Sequence, residues 1–540
     1  ERAAHLFPEA RGPVTLEQGS GNRIRLAVAG DAGQWKNSIG APRITLAHRE
    51  TPINVMAPLL VGDPHDLNSP SSKAAWEVFS KQLTQAKKIG IDGVSTDVWW
   101  GVIEPHQHKF EWNYYDRMAS TLNAKNVNWV PILSFHQAGG NVGDTVSVPI
   151  PSWVWNKISS QIPGSTPNVG KFRSEQGNYS NEYVDFAADK YAIPLYKNVM
   201  EAFQKQYAPY AKSISEINVS LGPAGEARYP SYNQHDKNTD YPTRGALQAY
   251  SDLQKADFKK SMLEKYGNFE NLEKAWGGKV QNIEPPVDAD GFFRNKIHTD
   301  TQYGRDFFDW YSGNLVKHIK GVIGTSFDVF HTGDAPFKHV DVGAKIPGVH
   351  WRIGVRNGNN IEIGDRLAEL NAGLITTSAV QDWHSDAAGR GYRPLLSGIA
   401  ELTSSRPNSP FTLHFTCLEM LDGQDGPMAK ALPNSLATWV GREARYQGLR
   451  LKGENALNFT LSDHKAWESM KAHMQNADGK PGNYQGLTLL RLSDVVNTPA
   501  ETHLVKLIEA LKAPKVKPPG NNVTAPAPEP FPIKFYKPPA

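Results

Sequence analysis

Short apolar runs rich in Val, Ile and Leu recur along the chain, each followed by a longer stretch whose apolar positions fall at helical spacing. The runs span 52–60 ("PINVMAPLL"), 90–100, 128–137, 213–226, 339–351, 411–419, 449–457 and 484–494. Runs of this length with turn residues around them read as strands buried on both faces. Segment 72–90, "SKAAWEVFSKQLTQAKKIG", places apolar residues at i, i+3, i+4 and i+7 and stops at Gly90, a residue type that ends helices well. Eight such units predict an α/β fold of the (β/α)8 TIM-barrel type. A doubly wound open sheet is the alternative, but "APLLVGDPHD" after the first run lacks the Gly-rich phosphate turn of that fold.

The pattern divides the chain into three parts. Residues 1–50 hold one alternating stretch, "NRIRLAVAG", and are expected to be an extension packed on the barrel; 51–512 form the barrel itself. Residues 513–540 carry nine prolines and read as a tail or linker. The surplus over the roughly 250 residues of a minimal barrel falls mainly at 138–195 and 227–335, after the third and fourth strands. Those are βα loops on the C-terminal face, where long loops build a deep cleft.

Composition narrows the function classes. Among 540 residues, 58 basic and 55 acidic side chains are interspersed and leave a formal charge of +3, so no nucleic-acid footprint is present. No run of 18 apolar residues occurs, which excludes an ordinary transmembrane helix and argues against a membrane partner. Cys417 is the single cysteine, so neither an internal disulfide nor a Cys-based zinc site can form. Fourteen tryptophans and nineteen tyrosines suit stacking on the apolar faces of sugar rings, although most aromatics are core. The chain begins at Glu1 without a methionine, so a leader is expected upstream, and we expect a secreted monomer.

Polar groups gather where the runs stop: Asp97, His136, Glu226, Lys345, His350, Glu419, Glu454 and Arg491. In a barrel these ends converge. Cleaving an acetal needs one acid to protonate the leaving oxygen and one carboxylate to supply electron density, directly or through water. Glu226 closes the fourth strand and Glu454 the seventh, nearly opposite in a ring of eight. Such spacing favours a carboxyl gap of roughly 6.5–9.5 Å, room for a water, and inversion. Gly222, Pro223 and Gly225 in "LGPAGEARYPSY" should stop the fourth strand and turn Glu226 into the cleft. Lys345 and Arg491 are cations able to keep Glu454 ionised, while Glu226 has no adjacent acid and would retain its proton through desolvation.

The segments "GVSTDVWWGVIEP", "SFHQAGGNVGD", "VPIPSWVW", "LGPAGEARYPSY", "AKIPGVHW", "FTCLEM", "KGENAL" and "LLRLSD" together resemble the β-amylases of glycoside hydrolase family 14, in order across roughly 52–510. The resemblance implies a (β/α)8 barrel that removes maltose from the non-reducing ends of α-1,4-glucans such as starch, releasing the β-anomer without a cofactor. It implies Glu226 as general acid and Glu454 as general base. "GGNVGD" (139–144) is similar to the family's lid, which brings Asp144 to the sugar, and Thr416 matches the inner-loop residue that steadies the base. Asp97, His136, Lys345, Asn455, Ala456 and Arg491 match positions that grip glucose units, and His350 lies among them.

Departures are informative too. Ala138 stands where many relatives carry cysteine, Ala227 where leucine is usual, and Arg352 and Ile353 where the family usually has a pair that could stack on outer sugars. "IEPHQHKF" keeps Glu104 but has His108 where the resemblance to calcium-binding bacterial relatives implies an acidic ligand, so no metal is expected. The rival readings are a glucan-binding barrel without turnover and a retaining or endo-acting glycosidase.

Overall fold

The computed structural model describes residues 13–17, 23–27, 51–139, 146–381, 389–476, 479 and 481–512. Eight parallel strands close into the expected barrel: β1 (Ile53–Met56), β2 (Gly93–Trp99), β3 (Asn128–Ser134), β4 (Glu216–Val219), β5 (Asp341–Ile346), β6 (Phe411–Phe415), β7 (Leu451–Glu454) and β8 (Leu487–Leu489). Each strand pairs with the next in the chain, and β8 returns to β1 with Leu487 opposite Ile53. All eight lie within the eight apolar runs. Every residue of β1, β3, β4, β6, β7 and β8 is buried, as expected of strands covered on one face by helices and on the other by the barrel interior.

The first connecting helix, Pro70–Ile89, shows why the outer layer forms. Ser69 caps it by accepting from the Ser72 N–H at 3.2 Å, proline sits in its first turn, and Gly90 ends it at φ 97°. Its buried stripe is Trp76, Phe79, Leu83 and Ala86, and each of the three larger side chains contributes roughly 1.5–3 kcal/mol by leaving water.

Both long excursions are present. After β3 the chain forms a hairpin, Lys171–Arg173 with Tyr179–Val184, before the helix Asp189–Tyr207. After β4 it passes through the helices Asp252–Tyr266 and Phe269–Trp276, and the barrel helix Gln302–Phe330 then begins well inside the stretch expected to be loop. Four glycines in that helix, at 304, 313, 321 and 324, had weakened its helical signal. The β4 excursion is tied down by Tyr229, stacked on Tyr311 with ring centroids 3.8 Å apart. Asp185 joins the two excursions by accepting from Ser251 Oγ at 2.5 Å and Gln254 Nε2 at 2.6 Å.

An unforeseen hairpin, Gly354–Asn357 with Asn360–Ile363, follows β5. The N-terminal strands Pro13–Glu17 and Arg23–Ala27 pair antiparallel, the second within "NRIRLAVAG". Residues 513–540 lie outside the described residues, and no helix among those described is long and apolar enough to cross a membrane.

Candidate active site

A cavity of about 670 Å³ opens where the strands end, within the usual size of a small-molecule site. Its lining includes Asp97, His136, Glu226, Lys345, His350, Thr416, Glu454, Asn455, Ala456 and Arg491. Of the strand-end and sugar-binding groups read from the sequence, Glu419 is absent from this lining and Asp144 lies with the rest of 140–145 outside the described residues; the others are in one place.

Glu226 arrives there through a tight turn. Pro223–Gly225 forms a single 3₁₀ turn, closed by Gly225 N–H to Gly222 O at 3.0 Å and Glu226 N–H to Pro223 O at 3.0 Å. The chain then resumes extended geometry: Glu226 bridges Lys345 in parallel fashion, and the Ala227 N–H reaches Lys345 O at 2.9 Å. Strand β4 is thus interrupted rather than ended, and the detour delivers Glu226 to the rim beside β5. Gly222 permits it, because a Cβ there would lie 2.7 Å from Arg228 O and closer still to Glu226 O. The Glu226 setting is less apolar than expected. The buried Arg228 donates from Nε to Glu226 Oε2 at 3.1 Å, Tyr232 OH reaches the same oxygen at 3.4 Å, and the guanidinium lies 3.8 Å over the Tyr232 ring.

Glu454 ends β7 in a different environment. Lys345 Nζ donates to its Oε2 at 2.8 Å, and His414 Nδ1 stands 3.4 Å from its Oε1. Burial alone would raise this carboxyl, but Lys345 first and then His414 outweigh it and hold Glu454 at about 2. The sequence expectation of two cations is half met. Lys345 does pair with Glu454, whereas Arg491 donates to Ala57 O at 3.0 Å and joins the ends of β8 and β1.

The remaining lining groups suit neutral hydroxyls. Burial, with Lys345 and Arg228 nearby, lowers His136 to about 3, so its imidazole is neutral, and its Nδ1 has no partner among the described residues. His350 is likewise lowered by burial; its Nδ1 faces Gly348 O at 2.9 Å, while Nε2 is unpartnered among the described residues. Asp97 accepts from Ser134 Oγ at 3.0 Å. Asn455 spans β7 and β8, accepting the Leu490 N–H at 2.8 Å. Tyr232, Tyr241 and Trp351 pack edge to face along one wall, with ring centroids 5.3–5.4 Å apart.

The geometry has close counterparts among known proteins. The model for "Glycosyl hydrolase family 14" matches residues 55–516. The chain belongs to glycosyl hydrolase family 14. It is 35% identical over 432 residues to the thermophilic β-amylase of Thermoanaerobacterium thermosulfurigenes, covering 78% of this chain and 69% of the relative. It is 31% identical over 458 residues to the β-amylase of Vigna unguiculata, covering 82% and 83%. The crystal structure of the catalytic domain of the Paenibacillus polymyxa β-amylase superposes with a TM-score of 0.69 at 30% identity, covering 86% of this chain and 99% of that one. The protein is a glycoside hydrolase, and its relatives set it among the β-amylases.

In this family-14 barrel the two unusual residues after Trp351 do not line the cavity. Arg352 pairs with Asp365, its Nε donating to Oδ1 at 3.0 Å, and Ile353 is fully buried. Glu104 is occupied within the fold, accepting from Trp100 Nε1 and the His108 N–H, both at 2.8 Å. Sequence reasoning missed Arg228, Tyr232 and a buried group beneath Glu454: Glu216, His414 and Lys452. Arg228 and Tyr232 stand within two and six residues of Glu226, so the turn segment itself carried that signal. Glu419, noted only as a strand-end acid, accepts the Ala456 and Leu457 N–H groups at 2.8 and 2.7 Å, and burial raises it to about 7.

Proposed function

We propose that this protein is a β-amylase that hydrolyses α-1,4-glucosidic bonds of starch and related glucans from their non-reducing ends, with inversion, releasing β-maltose. Glu226 serves as the general acid at the glycosidic oxygen, and Glu454 as the general base that draws a proton from water attacking C1 from the opposite face. The observation that carries the reading is the Lys345–Glu454 pair: one cavity carboxyl is kept ionised, as a base must be, while a second enters from β4. In the catalytic step the C1–O bond breaks as the Glu226 proton moves to the leaving oxygen. The water proton goes to Glu454, and the new C1–OH bond forms on the other face.

Asp97, His136, His350, Lys345, Asn455, Ala456 and Arg491 are assigned to the sugar hydroxyls. The neutral imidazole of His136 can donate or accept without adding charge. Thr416 is assigned to the inner loop that steadies the ionised base, and 139–144 with Asp144 to a lid that excludes water. Access from chain ends fits a cleft walled on one side by the excursion after β4, through Arg228, Tyr232, Asn233 and Tyr241.

The test is incubation with soluble starch while following optical rotation and product length. Release of β-maltose alone is expected. Products of α configuration or mixed length would overturn the reading, and glucan binding without turnover would favour a catalytically silent barrel.

A further inference from the structure

Beneath the cavity floor the barrel interior holds a chain of charged side chains that the hydrolysis as described does not use. His414 on β6 lies between two carboxylates: its Nε2 is 2.5 Å from Glu216 Oε1 on β4, and its Nδ1 is 3.4 Å from Glu454 Oε1 on β7. Lys452 on β7 pairs with Glu216 Oε2, and Asn218 Nδ2 donates to Glu216 Oε1 at 3.0 Å. Lys345 on β5 takes the other Glu454 oxygen, and Glu226 and Asp97 act on that ammonium from further away. Glu216, His414 and Lys452 are all buried. Gly343 on β5 leaves the space that Glu216 and Asn218 occupy.

A neutral imidazole with its one N–H on Nε2 toward Glu216 would turn a bare lone pair toward Glu454, whereas an imidazolium keeps the short bond to Glu216 and sets its positive charge 3.4 Å from Glu454 Oε1, an ion-pair contact outside hydrogen-bond geometry. We propose that His414 is a cationic positioning residue, fixed by Glu216, that keeps the Glu454 carboxylate ionised and so sets the lower pH boundary of catalysis. The proposal rests on the reading of Glu454 as the base. Burial works against a charged imidazole here, and the facing Glu216 and Glu454 carboxylates raise it regardless. Lys345 and His414 then face the two oxygens of Glu454 directly, one each, while the Glu216 charge is matched by Lys452 and Asp97 lies further off. Two cations at contact distance favour an ionised base.

The experiment is the pH profile of kcat/KM on a maltooligosaccharide for the wild-type protein, His414→Gln, His414→Asn and Glu216→Gln, with thermal melting to confirm folding. Loss of one cation beside a carboxylate should move the acid limb upward by roughly 1–2 pH units. Glu216→Gln should instead make the His414 imidazole give up its proton at lower pH than in the wild type, read by NMR titration of its ring protons, because the imidazole loses its anionic partner. The double variant Glu216→Gln/His414→Gln should shift no further than the larger single shift, since both act through one group. A folded His414 variant with an unmoved acid limb overturns the proposal, as does a folded Glu216→Gln variant whose His414 titration is unchanged. Should the His414 variants fail to fold, Glu216→Gln decides, and the reverse holds. Glu454→Gln separates the two layers: near-normal turnover there removes the base assignment itself, while lost turnover with an unmoved limb in the His414 variants removes only this inference.

Discussion

Replacing Gly222 by alanine tests whether the turn after β4 is what places the acid. The added Cβ would sit 2.7 Å from Arg228 O, and nearer to Glu226 O, against an ordinary contact of 3.4–4 Å. Both obstacles are backbone atoms, so no side-chain rotation relieves them. The turn must open by on the order of 1 Å, which overpacking data price at about 1–3 kcal/mol. Glu226 moves with it, and a displacement of that size at a reacting group costs on the order of 100-fold in rate. The control is Gly313→Ala in the Gln302–Phe330 helix, where an added Cβ meets nothing within 4 Å. That change should leave kcat untouched and stabilise by up to about 1 kcal/mol, because alanine is the better helix former. Steady-state kinetics on a maltooligosaccharide and thermal melts of both variants give the comparison. The Gly222→Ala protein is expected to stay folded at assay temperature with kcat down about 100-fold and KM changed far less. Wild-type kcat in that variant would refute the placement of Glu226 by the turn.

Other outcomes follow from the same geometry. Glu226→Gln and Glu454→Gln should each lower turnover by at least roughly 10²–10⁴-fold, and near-normal rates in either would remove that residue from the mechanism. Lys345→Met strips Glu454 of its 2.8 Å partner and should cost about 3–5 kcal/mol at neutral pH by chemical denaturation. Because Glu454 is held at about 2 against an ordinary 4.5, its stabilising contribution is complete above 4.5 and fades as pH falls toward 2. The Lys345→Met deficit should shrink across that window, and a deficit independent of pH would contradict the pairing. Burial raises Asp185 from 3.8 to about 7, so the folded protein keeps a proton that the unfolded chain releases, and stability declines as pH rises through that interval. Asp185→Asn has no such proton, and its melting temperature should fall less than that of the wild type between about pH 5 and about pH 8; equal slopes would refute this.

The barrel was legible because fully buried parallel strands are continuous apolar runs, and all eight runs contain their strand. The site was legible for a related reason: a barrel carries its chemistry at strand ends, and polar residues there stand out against apolar sequence. Inside the barrel that contrast fails. Glu216, His414 and Lys452 each stand two positions from another polar residue of the same strand, Asn218, Thr412 and Glu454, but alternations of only two residues do not stand out within runs buried on both faces. The hairpin after β5 had a readable mark, Gly358-Asn359 between short extended segments, but it sat among residues otherwise read as barrel. The pairing of Arg491 with Ala57 was beyond reach, since it depends on a contact between distant parts of the sequence.

That contact lies on the seam where β8 meets β1. Until Leu487 to Leu489 leave the ribosome, β1 and β7 each present an open edge, the state of a sheet most prone to wrong pairing. At about 5–20 residues per second the nascent chain spends roughly 20–90 s between the synthesis of β1 and that of β8. Arg491 bonds across the same seam, so the cleft and the ring are completed by one event. A chain interrupted before β8 would therefore be an inactive, edge-exposed intermediate.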